Sequence, residues 1–313
     1  MMSTHNTSLH VSQLLKQAAQ KYEAHEIREA SRMLAEAKAL RQNVSGIDTL
    51  RAKCFLALGS ATAARQALYE ELAHFPNDDE ATQLLNAIPE PEESFTDDSE
   101  FLSVLSTIRP YTMVGVQRLF SLYSLAKNVV QNSVDGNFVE CGVARGGSAA
   151  LLGYVMKKYS NHQRRLFAFD SFNGMPDPTT EDTYAETPAN ETGWGAGTCA
   201  APVESLLHVA AQLDLQSILV PVAGDFCDTL PAYKNTIGRI AFLHMDGDWY
   251  RSTMTVLENL YENVVDDGII QVDDYGYWDG CRKAIHEFEL KRHTTFVLNA
   301  IDGVGVWFCK KSC

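Results

Sequence analysis

Two short runs hold the acids best placed to do chemistry. "AFLHMDGDWY" (residues 241–250) and "GIIQVDDYG" (268–276) are both apolar stretches that stop at paired aspartates, Asp246 with Asp248 and Asp273 with Asp274. In parallel α/β sheets, ligands collect beyond the carboxyl ends of the strands, and neighbouring strands lie about 4.8 Å apart. If the two runs are neighbours, Asp246, Asp273 and Asp274 converge on one point. Bare carboxylates that close repel one another unless a positive charge sits between them. An oxygen-only ligand set suits Mg²⁺ or Ca²⁺ rather than zinc. The competing reading is helix capping, open to Asp248 and Asp274, which both precede helical stretches. Two acid pairs on successive strand ends favour the cation. His244, two residues before Asp246, shares its face by strand alternation. It is a candidate for proton transfer, although a packed or hydrogen-bonded histidine is the plainer reading.

A second constellation lies upstream in "FVECGVARGGSAALLGYVMKKY", residues 138–159. Gly142, Gly146 and Gly147 permit a tight strand-to-helix turn and a close ligand, but they do not spell G-x-G-x-x-G, and no P-loop lysine follows. An acid before the turn, Glu140, favours a cationic or hydroxyl-bearing cofactor over a pyrophosphate; taken alone it fits a strand-end cap equally well. Asp170 ends the next strand, where an acid can accept from ribose hydroxyls. S-adenosylmethionine (SAM), with a sulfonium, an ammonium, a ribose and no phosphate, meets this description.

These sites need a scaffold. From residue 101 onward, apolar runs of strand length alternate with helical patterns. The expected strands are 137–143, 165–170, 217–224, 239–246 and 268–274, with helices at 101–107, 114–131, 147–159, 203–213, 227–236, 252–264 and 280–291. Such alternation implies a mostly parallel sheet with helices on both faces. Two closing runs, 294–300 and 303–310, joined by "IDG", predict an antiparallel last pair. Residues 171–200 read as a long loop. Arg282 and Lys283 on the last helix are expected to face solvent or to balance the acids.

Residues 9–88 differ: they are rich in alanine and leucine, lack proline before Pro76, and have apolar positions at helical spacing. Paired helices with a "PNDDEA" restart resemble tetratricopeptide-type repeats. Only about two would fit, so the segment is expected to dock on the rest of the chain or on a second subunit. "PEPEESFTDDSE", residues 89–100, reads as an acidic linker. A net charge of −14 argues against nucleic-acid or anionic-membrane binding. No apolar window is long enough to span a membrane, and no secretory signal is evident. Seven scattered cysteines without a C-x-x-C pair fit reduced thiols in a cytoplasmic protein.

"FVECGVARGGSA", "FAFDSFNGMP", "GDFCDTLP", "HMDGDWYRST", "VDDYG" and "GCRKAIHEF" occur in this order. As an ordered set they resemble the macrocin/mycinamicin sugar O-methyltransferase family from about Tyr111 to residue 310. The resemblance implies a class I methyltransferase domain over 101–313, joined by the 89–100 linker to the helical segment 1–88. It implies SAM and Mg²⁺ as cofactors and a natural-product hydroxyl, of a sugar or vicinal diol, as acceptor, as in antibiotic biosynthesis. It places Glu140, Gly142 and Ser148 along the methionine portion of SAM and Asp170 with Ser171 at the ribose. Gly224, Asp225 and Phe226 fall at the adenine, and Thr112 and Met113 over the cofactor. Asp246, Asp273 and Asp274 match the metal aspartates, with Asp246 also a candidate base. Two departures remain. Residues 1–100 are not part of the usual chain, and 176–200 does not align where a substrate lid is expected. A non-sugar peptide or polyketide hydroxyl is the alternative acceptor. A metal-dependent hydrolase lacks a phosphate cradle here, and an adaptor role for the helical segment is compatible with catalysis. Helical additions of this kind suit a homo-oligomer or a protein partner.

Overall fold

The computed structural model describes residues 4–40, 44–88 and 97–311. Most of the expected linker, residues 89–96, lies outside the described residues.

A seven-stranded sheet organises the chain from residue 137 on. Its strands are β1 (Asn137–Cys141), β2 (Leu166–Asp170), β5 (Leu219–Ala223), β6 (Ile240–Met245), β7 (Val264–Val272), β8 (Asn299–Ala300) and β9 (Val306–Cys309). They stand in the order β5-β2-β1-β6-β7-β9-β8. The first five are parallel; β9 runs antiparallel to both β7 and β8. β1 and β6 are buried almost throughout, as expected for parallel strands covered on both faces. Helices α6 (Ser99–Ile108), α7 (Val116–Gln131), α8 (Gly147–Tyr159) and α9 (Val203–Gln212) cover one face. The other is covered by α10 (Phe226–Ile237), α11 (Tyr250–Leu260) and α12 (Asp279–Arg292). Alternation divides each strand between two cores: Val139, Phe167, Leu243 and Ile270 on the α11–α12 side, Phe138, Leu166 and Ile269 on the α7–α8 side. Chain order reverses direction on either side of β1, so the crevice required of an open α/β sheet opens at its carboxyl end.

The stretch 171–200 is not wholly irregular. β3 (Thr183–Tyr184) and β4 (Thr187–Pro188) form a small antiparallel hairpin. Its two turn residues, Ala185 and Glu186, both have positive φ. That conformation ordinarily draws Asn or Gly, so no turn signal announced it.

The N-terminal segment forms α1 (Thr4–Glu23), α2 (Ile27–Leu40), α3 (Ile47–Ala57), α4 (Ala61–His74) and α5 (Asp79–Ala87). α4 and α5 are capped by Ser60 and Asp78, whose side chains accept from Ala63 and Ala81 N–H. Alanines let the pairs approach closely, with Ala30, Ala37, Ala63 and Ala64 fully buried. The segment docks on its own chain: α2 packs on α12 and α4 along β8.

Candidate active site

Backbone pairing beyond the strand ends brings the acids together. Asp246 N–H donates to the Cys141 carbonyl (2.8 Å), and Asp273 N–H to the Met245 carbonyl (2.9 Å), so the ends of β1, β6 and β7 lie side by side. Asp248 has φ 57°, which turns it back toward the sheet. Its N–H donates to Asp274 Oδ2 (3.0 Å), and its Oδ1 accepts from the Trp278 indole (3.0 Å). Carboxylate oxygens of Asp246, Asp248 and Asp274 consequently lie within 4.8 Å of one another.

That trio differs from the expected one. Asp273 lines the same cleft but is ion-paired with Arg118 of α7 and lies 4.0 Å from His244 Nε2. Arg118 in turn holds Asp302 at 3.0 Å. Asp273 still lines the cleft with Asp246 and Asp274, and Asp248, expected only to begin a helix, joins them there.

Electrostatics sets the trio apart. Burial pushes Asp246 well above the ordinary carboxylate range, and Asp273, Asp274 and Asp248 add repulsion. Asp274 rises for the same reasons, burial first and then Asp248. Burial lifts Asp248 to about 7 against the pull of the Trp278 hydrogen bond. Three crowded acids that the protein's own cations leave under-balanced, all offering oxygen, fit a divalent hard cation such as Mg²⁺.

Behind the trio runs a buried polar row. Glu140, His244 and Gln271 are register partners across β1, β6 and β7, all fully buried. His244 Nδ1 lies 2.8 Å from Glu140 Oε1. Burial pulls the imidazole down, but Asp273 and Glu140 on either side hold it up, to about 9. Two expectations are corrected here. Glu140 is sealed under the sheet end and does not line the methionine site, because its side chain follows the α7-side face. His244 likewise has no surface on the cleft, so it supports Asp273 from behind and cannot touch an acceptor.

The remaining candidates Gly142, Ser148, Asp170, Ser171, Gly224, Asp225 and Phe226 line one cleft of about 1110 Å³ together with the trio. Gly142 (φ 95°) has no room for a Cβ, which would fall on the Asp246 carbonyl, so donor turn and acid share a wall. Asp170 accepts from the N–H groups of Val143 (2.7 Å), Ala144 (2.9 Å) and Phe172 (2.7 Å), fixing that turn. A carboxylate has about four acceptor positions, so one stays open to a hydroxyl. Ser171 builds the following turn, its hydroxyl donating to the Gly174 carbonyl. Asp225 is the N-terminal flank of α10. Thr112 and Met113 lie at the rim, Met113 64% exposed.

Trp194, Trp249, Tyr277 and Trp278 line the same cleft. Trp249 donates to the Pro176 carbonyl (2.9 Å), whereas Tyr250 turns away to Glu287 (2.5 Å). Buried Asp182 anchors the loop 171–200, accepting from Tyr250 N–H (2.7 Å) and Thr179 N–H (2.6 Å). Neither Asp182 nor Arg118 carried any local signal. Arg282 is buried rather than solvent-facing.

A sheet in this order, with a glycine turn after β1 facing a cleft at its carboxyl end, defines a class I SAM-dependent methyltransferase. The chain belongs to the macrocin-O-methyltransferase (TylF) family, whose profile matches residues 89–310. Over 201 residues it is 35% identical to the 8-demethyl-8-(2,3-dimethoxy-alpha-L-rhamnosyl)-tetracenomycin-C 4'-O-methyltransferase of Streptomyces olivaceus, covering 63% of this chain and 75% of that one. It is 31% identical over 202 residues to the mycinamicin III 3''-O-methyltransferase of Micromonospora griseorubida, covering 63% and 78%. The solved structure of the O-methyltransferase NovP superposes with a TM-score of 0.58 at 32% identity, over 64% of this chain and 83% of that one. The protein is therefore a SAM-dependent O-methyltransferase. Residues 1–88 lie outside the family match. No helix among the described residues is long and apolar enough to cross a membrane.

Proposed function

We propose that this enzyme methylates a hydroxyl of a sugar, one of a vicinal pair, carried by a natural product, and that it does so with Mg²⁺. The observation that carries the reading is the under-balanced Asp246–Asp248–Asp274 trio lining one cleft beside the glycine turn. Relatives that methylate rhamnosyl and mycinamicin hydroxyls support the sugar as acceptor.

Asp246, Asp248 and Asp274 would hold the cation, with Asp273 held beside them by Arg118 and His244. When bound there, a divalent cation lowers the pKa of a hydroxyl it ligates. Gly142, Ser148, Asp170, Ser171, Gly224, Asp225 and Phe226 bind the methyl donor. Thr112 and Met113 cover it. Asp246 stands between donor turn and acids, and takes the hydroxyl proton as the oxygen accepts the methyl group. Trp194, Tyr277 and Trp278 exclude water and give the sugar an apolar face to stack against.

We further assign residues 1–88 to a tetratricopeptide-like helical unit and propose a homo-oligomer; the linker expected over 89–100 ends earlier, at Asp98, because Ser99 and Glu100 already belong to α6, and the catalytic domain follows from there. Exposed Leu9, Leu56 and Leu58 on the N-terminal helices support a second copy or a protein partner there. Light scattering on the full chain tests the oligomer. Radiolabelled methyl transfer from SAM to a panel of deoxysugar glycosides, with and without EDTA, tests the reaction.

A further inference from the structure

The wall of the cleft that carries Asp273 and Asp274 lies within the matched family region but is braced from outside it. Two paths lead from it to α4. Along the first, Tyr275, next to Asp274, offers its carbonyl to Arg282 (3.3 Å), and Arg282 also pairs with Asp279. Asp279 accepts from Thr183 of the β3–β4 hairpin (2.6 Å). Arg282 is buried, and across from it, 3.9 Å from its Nε, lies Glu70 of α4. Glu70 is also buried and holds Lys38 at 2.9 Å and Arg51 at 3.4 Å. Asp48 closes the group, 2.7 Å from Lys38 and 2.6 Å from Arg51. Three buried cations, Lys38, Arg51 and Arg282, thus face three acids, Asp48, Glu70 and Asp279. Along the second path, Ser60, the cap of α4, donates to Asn299 of β8 (3.2 Å). The turn after β8 carries Asp302, partner of Arg118, and the Val304 carbonyl, which accepts from Gly276 N–H (2.7 Å).

We propose that α4 holds the segment Asp273–Asp279 in its working position, with Glu70 as the positioning residue acting through Arg282. Removing one partner of a buried ion pair leaves the other uncompensated, and the structure yields where it is least supported. Arg282, left with Asp279 as its paired acid in this group, then shifts with the loop whose carbonyl it holds. Both paths from α4 end at the segment after β7, and neither runs through the glycine turn or the β2–β5 side. The positioning rests on the proposed role of Asp274 only for its consequence in cation binding.

Amide exchange on the full-length chain tests it without an acceptor. In Glu70→Gln and in Arg282→Lys, exchange over 273–279 should be about tenfold faster. Exchange over 137–143 and 166–170 should stay at the wild-type rate, and SAM affinity by calorimetry within about twofold. Glu70→Asp, which keeps the charge, should restore slow exchange, and Mn²⁺ affinity by electron paramagnetic resonance should fall about tenfold in Glu70→Gln. Should Glu70→Gln not melt cooperatively, Arg282→Lys decides, since it retains the buried charge. Wild-type exchange over 273–279 in a folded variant, or acceleration spread equally over the donor strands, overturns the proposal. A wild-type chain that binds no Mn²⁺ would sink the cation reading instead, and the exchange comparison would still decide the positioning.

Discussion

At Asp246 the fold presses an acid against Asp248 and Asp274, and each is pushed toward its neutral form. Relief of that repulsion is worth stability, whereas the charge is what binds a cation and takes a proton. Asp246→Asn should therefore melt at or above the wild-type temperature in metal-free buffer, while methyl transfer falls about 10²–10⁴-fold. A variant that melts lower and stays active would remove Asp246 from the site. Gly142 makes the opposite trade. Gly142→Ala drives a methyl into the Asp246 carbonyl and strains a positive φ. Loss of at least about 2 kcal/mol in urea unfolding is expected. Full stability would mean that turn and acid do not share a wall.

The strands that set the site were legible because parallel strands are apolar throughout and stop abruptly at their polar ends. Asp246 and Asp274 could be placed from that pattern alone. Asp248 could not, because its side chain joins the trio through a positive φ that the sequence does not announce. Glu140 was misplaced for a related reason: one step of strand alternation separates a cleft residue from a buried partner of His244. The loop 171–200 was opaque altogether. Its hairpin turns on Ala185 and Glu186, and its anchor, Asp182, bonds to Tyr250, far along the chain. Asp182→Ala leaves the Tyr250 N–H without its buried acceptor, which costs about 1–3 kcal/mol. The loop should then be cut faster by trypsin-free proteases such as thermolysin, and the acceptor KM should rise with the SAM KM unchanged. Unaltered cleavage would show that the loop is held elsewhere.

Across the whole molecule, long-range pairs connect what the sequence reading kept separate. Arg118 reaches Asp273, and Arg282 reaches Glu70, through contacts that no local pattern encodes. The helical segment was expected to dock on the rest of the chain or on a second subunit; it packs on α12 and β8 of its own chain, and its buried charges meet those of the catalytic half. Donor turn, carboxylate trio and aromatic wall then line one cleft. The most direct test of this account is methyl transfer from SAM to a deoxysugar glycoside, measured before EDTA, after it, and after Mg²⁺ is restored. The account predicts turnover that EDTA removes and Mg²⁺ returns, with SAM affinity unchanged throughout; turnover indifferent to EDTA would contradict it.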